Sequence, residues 1–291
     1  MRTGGRMQGT TVRRVGLVLA VATALTGVAA CTSQDSSDGP GQDDRAPRGR
    51  TLAALRSAER ATEHAESARV ESTTTMGSLM SMTADGTLGW NDGITGTLTI
   101  TYTGGTVADT MRRLGTTSME ARYLPEAYYA RMGEKFAEQA DGKHWIRYAY
   151  DDLEALTGGS GGHLGDQMRS TTPNQSVKLL LSSGDVRKVG EETVQGRSAT
   201  HWSGTVRAAD ITDPGLRKQL TEAGVTTETV DIWVDQRNLL VKKVEKARMA
   251  TGLMTQTAHY ADYGAAVRAE RPPRSDTGDF EDLMRKQTGT P

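Results

Sequence analysis

Val230-Asp231-Ile232-Trp233-Val234-Asp235 alternates aliphatic with polar or aromatic side chains at a period of two. That period is the signature of a strand with one apolar face. Gln236-Arg237-Asn238 follows as a turn, and Leu239–Val244 is a second strand that pairs back onto the first. Working outward, strand-like runs recur at Asp185–Val194, Ser198–Val206 and Gly252–Tyr263. Toward the N-terminus they recur at Ala68–Met76, Met80–Trp90, Ile94–Tyr102, Val107–Leu114, Ser118–Leu124, Ala127–Met132 and Lys143–Tyr150. Asp92-Gly93 supplies the residue pair that a tight hairpin turn requires. No helices separate the strands of the first meander, so its sheet is expected to be antiparallel.

A few helices interrupt the pattern. Thr51 reads as an N-cap for a helix to about Ser67, with Leu52, Leu55, Ala58, Thr62 and Ala65 on one face. Asp152–Leu156 suggests a short helix, and Pro173 opens another in which Val177, Leu180 and Leu181 share an apolar face. Ala208–Ala223 reads as helical, with Pro214-Gly215 as a break near its start. Arg271-Pro272-Pro273 closes the domain, and Phe280, Leu283 and Met284 share one face of a short helix in the tail. The fold class expected is α+β: a large curved antiparallel sheet, a half-barrel, with helices on its concave side.

The first 30 residues differ from all of this. Arg2, Arg6, Arg13 and Arg14 form a basic stretch without an acidic residue, and an apolar run from Val15 to Val28 follows. A run this short, closed by small residues, reads as a signal segment rather than a stable span. Val28-Ala29-Ala30-Cys31 ends it and contains the only cysteine of the chain. These four residues resemble the lipobox of bacterial lipoproteins. The resemblance implies cleavage after Ala30, a diacylglycerol on the Cys31 sulfur, and residence on the extracytoplasmic face of the cell membrane. Residues 31–50, polar and rich in Gly, Asp and Ser, read as a flexible tether. The domain then runs 51–268, with 269–291 as a C-terminal tail.

Charge and composition exclude several classes. The chain has 35 basic and 36 acidic residues; without the four signal arginines the balance is 31 against 36, a net charge of −5. No basic surface is left for nucleic acid. His64, His144, His163, His201 and His259 are scattered without metal-ligand spacing. Gly158-Gly159-Ser160-Gly161-Gly162 matches the G-x-S-x-G pattern but lacks the preceding strand and following helix that would make it a nucleophile elbow. No enzyme, metal or cofactor is expected. His144 and His201, each near a tryptophan, read as sheet packing, and Asp231 and Asp235 as solvated carboxylates. Met76, Met80, Met82, Met119, Met132, Met249 and Met254 fall on expected strands, where flexible thioethers suit either core filling or a variable apolar ligand.

Three stretches in this order resemble the LppX/LprA/LprF/LprG lipoproteins, which share the LolA fold. They are Gly142–Ile146, Leu180–Trp202, and the pair formed by Val230–Asp235 and Leu239–Val244. The resemblance covers roughly residues 51–265 and implies a half-barrel whose apolar cavity holds a lipid or glycolipid. Val177, Leu180, Leu181, Val230, Ile232 and Val234 are the candidate cavity-lining residues. The expected function is to bind and carry or present a lipid or other long apolar ligand. The partners are that ligand, the membrane through lipidated Cys31, and an envelope protein of unknown identity. The alternative is a filled core in a lipoprotein that acts as a partner-binding or sensory module.

Overall fold

Twelve strands form one open, curved sheet in the order β12-β6-β5-β4-β3-β2-β1-β11-β10-β9-β8-β7. The computed structural model describes residues 45–151, 172–222, 224–249 and 252–288. Ala30, Cys31, residues 31–44, the 152–156 helix and the Gly158–Gly162 loop lie outside the described residues. The strands are β1 (Ser67–Met76), β2 (Met80–Gly89), β3 (Thr95–Gly104), β4 (Ser118–Leu124), β5 (Ala127–Arg131), β6 (Trp145–Ala149), β7 (Arg187–Val194), β8 (Arg197–Arg207), β9 (Thr227–Asp235), β10 (Leu240–Met249), β11 (Gly252–Ala261) and β12 (Thr277–Asp279). Two meanders, β1–β6 and β7–β11, meet where β1 pairs antiparallel with β11. Helices pack on the inner face, so the chain forms the expected α+β half-barrel.

α1 (Arg45–His64) and α4 (Pro173–Leu181) pack on each other, and α4 lies across β8, β9 and β10. Leu55 and Ala58 of α1 join Val177 and Leu180 of α4 in one core with Trp202, Val230, Ile232 and Leu240. Thr62 is the one polar residue of that α1 face to be fully buried, and its hydroxyl accepts the Leu240 N–H at 3.1 Å. A second core under β2–β5 is covered by α2 (Gly105–Arg113), through Met111. α3 (Glu134–Ala137), α5 (Pro214–Glu222) and α6 (Phe280–Thr288) are the other α-helices that lie wholly among the described residues.

Four expectations need correction. Residues 45–50, expected in the tether, are the opening turns of α1, where Pro47 falls early enough that its missing N–H costs nothing. Val107–Leu114, expected as a strand, is α2: Val107, Met111 and Leu114 recur at helical spacing and pack together on the second core. Pro214 opens α5 instead of breaking a longer helix, with Asp213 Oδ1 accepting the Leu216 N–H at 2.9 Å. The sheet is also not wholly antiparallel. β12, from the segment expected to be a tail, pairs parallel with β6.

Candidate functional site

The inner-face cavity lies between the two helix-covered cores. It has a volume of about 180 Å³. Its walls come from alternate residues of adjacent strands: Val70, Ser72 and Thr74 of β1; Met82, Ala84 and Leu88 of β2; Leu98 and Ile100 of β3; Gln256, Ala258 and Tyr260 of β11; and Lys243 of β10. Trp90, Ile94, Tyr123, Thr172 and Pro173 complete the lining. Strand register explains the assembly. Trp202, Ile232, Lys243, Ala258, Ser72, Ala84, Ile100 and Met119 are successive cross-strand partners from β8 to β4. The small residues Ala258, Ser72 and Ala84 sit together mid-row, and the space they leave is the cavity. Gly86, in the neighbouring row, stands opposite Leu98. A Cβ there would lie 2.1 Å from the Thr97 carbonyl oxygen, so only glycine lets β2 and β3 approach this closely.

The expected lining residues lie elsewhere. Val177, Leu180, Val230 and Ile232 are fully buried in the core beneath α1 and α4, with Val234 beside them and Leu181 partly buried at the margin. None of the six lines this cavity. α4 covers β8–β10 too closely to leave space over them. Of the methionines, Met82 lines the cavity, while Met76, Met80 and Met254 form the next cross-strand row toward the hairpin tips.

One side of the cavity is polar, and its residues were not foreseen. A register shift between Leu240 and Lys242 turns β10 over, so that Lys243 and Glu245 point inward after Leu240. Lys243 Nζ donates to Glu245 Oε2 at 2.8 Å, and Ser176 Oγ of α4 donates to Glu245 Oε1 at 2.6 Å. Burial disfavours the Lys243 ammonium, but Glu245, Tyr260 and Glu228 together outweigh that and hold its pKa above the ordinary value. Glu228, 4% exposed on the inner face of β9, is raised from 4.5 to about 7, first by burial and then by Glu245, with Lys243 opposing. The signal was present in Lys242-Lys243: two consecutive lysines on a central strand must send one ammonium to each face.

Lys242 takes the outer face, its Nζ 4.1 Å from the centre of the Trp233 ring. His201 stacks on the same indole at 4.1 Å, and its ring nitrogens contact Glu192 at 2.8 Å and Asp231 at 2.9 Å. Trp233 Nε1 donates to Glu192 Oε2 at 2.8 Å. Asp231 is therefore paired rather than simply solvated. Asp235 Oδ1 likewise accepts the N–H groups of Arg237 and Leu239, closing the β9–β10 turn. His144 is held at the other end of the sheet, against Asp276 at 2.7 Å and Glu134 at 3.1 Å. The described residues contain no group of His, Cys, Asp or Glu able to hold a metal ion.

Two Streptomyces proteins are similar to the chain over most of its length. The Streptomyces coelicolor protein named "Putative lipoprotein SCO4650" is 56% identical over 299 residues, covering 97% of this chain and 99% of its own. The chain belongs to this lipoprotein family. A Streptomyces griseus protein, named as an uncharacterized 31.2 kDa protein of the rplA-rplJ intergenic region, is 49% identical over 251 residues, 82% of each chain. Among solved structures, Mycobacterium tuberculosis lipoprotein LppX aligns with TM-score 0.49 and 15% identity, covering 76% of this chain and 99% of its own. LprF from Mycobacterium bovis aligns with TM-score 0.49 and 14% identity, covering 78% and 98%. No protein-family model matches the chain. No helix among the described residues of this lipoprotein is long and apolar enough to cross a membrane.

Proposed function

We propose that this lipoprotein is held on the extracytoplasmic face of the cell membrane by a diacylglycerol on Cys31, after cleavage at Ala30, and binds an apolar ligand on the inner face of its sheet. It is proposed to work as a binding or presenting protein, not as an enzyme. The observation that carries the ligand-binding reading is the cavity itself. Apolar side chains from β1, β2, β3 and β11 surround a space left by small residues, where a core would otherwise be close-packed.

A specific observation favours a second reading, in which the lipoprotein carries no lipid and serves as a partner-binding module. At about 180 Å³ the cavity falls below the roughly 300–1,000 Å³ of common ligand sites, and the face of β8–β10 is filled by α4. The two readings separate in one experiment. The full chain, expressed in a Streptomyces host fed a clickable palmitate, is isolated and examined by native mass spectrometry. The expected result is palmitate label on the wild type, none on Cys31→Ser, and a non-covalent lipid adduct on both. Label that persists on Cys31→Ser would refute the anchor; an adduct-free spectrum would favour the filled-core module.

A further inference from the structure

The polar side of the cavity says what kind of headgroup its ligand brings. Lys243 is 6% exposed and lines the cavity, yet its ammonium has one protein acceptor among the described residues, Glu245 Oε2. An ammonium has three N–H donors, so two of them are left over. Tyr260 is 5% exposed, lines the same cavity, and its phenol has no hydrogen-bond partner among the described residues. Lys243 stands opposite Ala258 across β10 and β11, and Tyr260 is two residues further along the same face of β11, so the two side chains are diagonal neighbours. These donors open into the cavity without a protein acceptor, and a ligand that brings an acceptor into it would satisfy them.

The charge balance then selects among acceptors. Lys243 is already neutralised by Glu245, and Glu228 carries a further, partly ionised carboxyl on the same face. A ligand carboxylate or phosphate would add another buried negative charge without a cation to match it. A neutral carbonyl oxygen can accept from Lys243 and Tyr260 and adds no charge. The size of the space limits the rest. A cavity of about 150 Å³ holds a benzene ring, so about 180 Å³ leaves room for one short chain and none for two side by side.

We infer that the cavity takes a neutral, ester- or amide-linked acyl group of a single chain, its carbonyl oxygen held by Lys243 Nζ and the Tyr260 hydroxyl. The inference rests on the ligand-binding reading above, and the test separates the two.

Three probes of equal chain length are titrated calorimetrically into the full-length Cys31→Ser chain, which has no acyl anchor of its own to occupy the cavity. They are monooctanoylglycerol, a neutral ester; octanoate, an anion; and octyl glucoside, neutral without a carbonyl. The ester is expected to bind roughly tenfold tighter than either of the others, the worth of about one charge-assisted hydrogen bond. Tyr260→Phe, which removes one hydroxyl and leaves the ring packing, is expected to weaken the ester several-fold and leave octyl glucoside unchanged. Octanoate as the tightest probe, equal affinity for all three, or a Tyr260→Phe variant that loses octyl glucoside as much as ester would each overturn the carbonyl site while ligand binding stands. Absence of binding by all three would overturn the ligand-binding reading, and this inference with it.

Discussion

Glu228 is the residue whose protonation the fold perturbs most usefully for experiment. Its inner-face neighbours are Glu245, which raises its pKa, and Lys243, which lowers it, while burial sets the direction. The carboxyl titrates near 4.5 when exposed and at about 7 in the fold, so between those values the native state binds more protons than the unfolded chain. Stability must therefore fall as pH rises through that window, by at most about 3 kcal/mol. Glu228→Gln is expected to flatten the decline and to be more stable than wild type at pH 8. Urea unfolding at a series of pH values checks this, and an unchanged slope in the variant would rule Glu228 out as its source. The residue scale also shows where sequence reading stops. In an unbroken Leu239–Val244 strand, Leu240, Lys242 and Val244 would share one face. The extra residue at the shift between Leu240 and Lys242 sends Lys243 and Glu245 inward instead, and alternation alone carries no sign of it.

At the scale of elements, strands were legible where alternation was uninterrupted. β9, β8 and β11 lie within a few residues of their expected bounds because one face of each is buried against helices or cavity. α2 was not, because threonine and valine in Gly105-Thr106-Val107-Ala108-Asp109-Thr110-Met111 favour strand locally. Its packing on β2 and β3 overrides that preference. β12 could not be read at all: three residues, Thr277-Gly278-Asp279, become a strand only because β6 offers an unpaired edge. The segment is held by more than that pairing. Asp279 accepts from Arg147 at 2.6 Å, Asp276 contacts His144 at 2.7 Å, and the Phe280 ring lies 4.7 Å from that of Tyr148. A chain ending at Pro273 is expected to fold but to lose about 2–4 kcal/mol, from Phe280 burial and the lost hydrogen bonds. Thermal melting decides it. An unchanged Tm would return residues 269–291 to the status of a tail.

At the scale of the molecule, the half-barrel is filled unevenly. α1 and α4 fill the side under β8–β10, α2 covers β2–β3, and the space between is bounded by Ala84, Ser72 and Ala258. The sequence resemblance implied a cavity, and apolar alternation set its walls on β9 and α4. Apolar alternation marks an inner face without saying whether a helix or a ligand covers it. Ala84→Leu is the discriminating change. It adds three carbons at a position 7% exposed that borders the cavity. If the space is real, the leucine enters it without strain, buries apolar surface, and leaves Tm equal or higher. Binding of monooctanoylglycerol should then be lost, because the leucine occupies the ligand's place. If the interior is already close-packed, the same leucine forces neighbours off their rotamers and costs about 1–3 kcal/mol. Melting and binding measured on one variant therefore point in opposite directions under the two readings. A lower Tm with no binding by the wild type would leave the filled-core module standing.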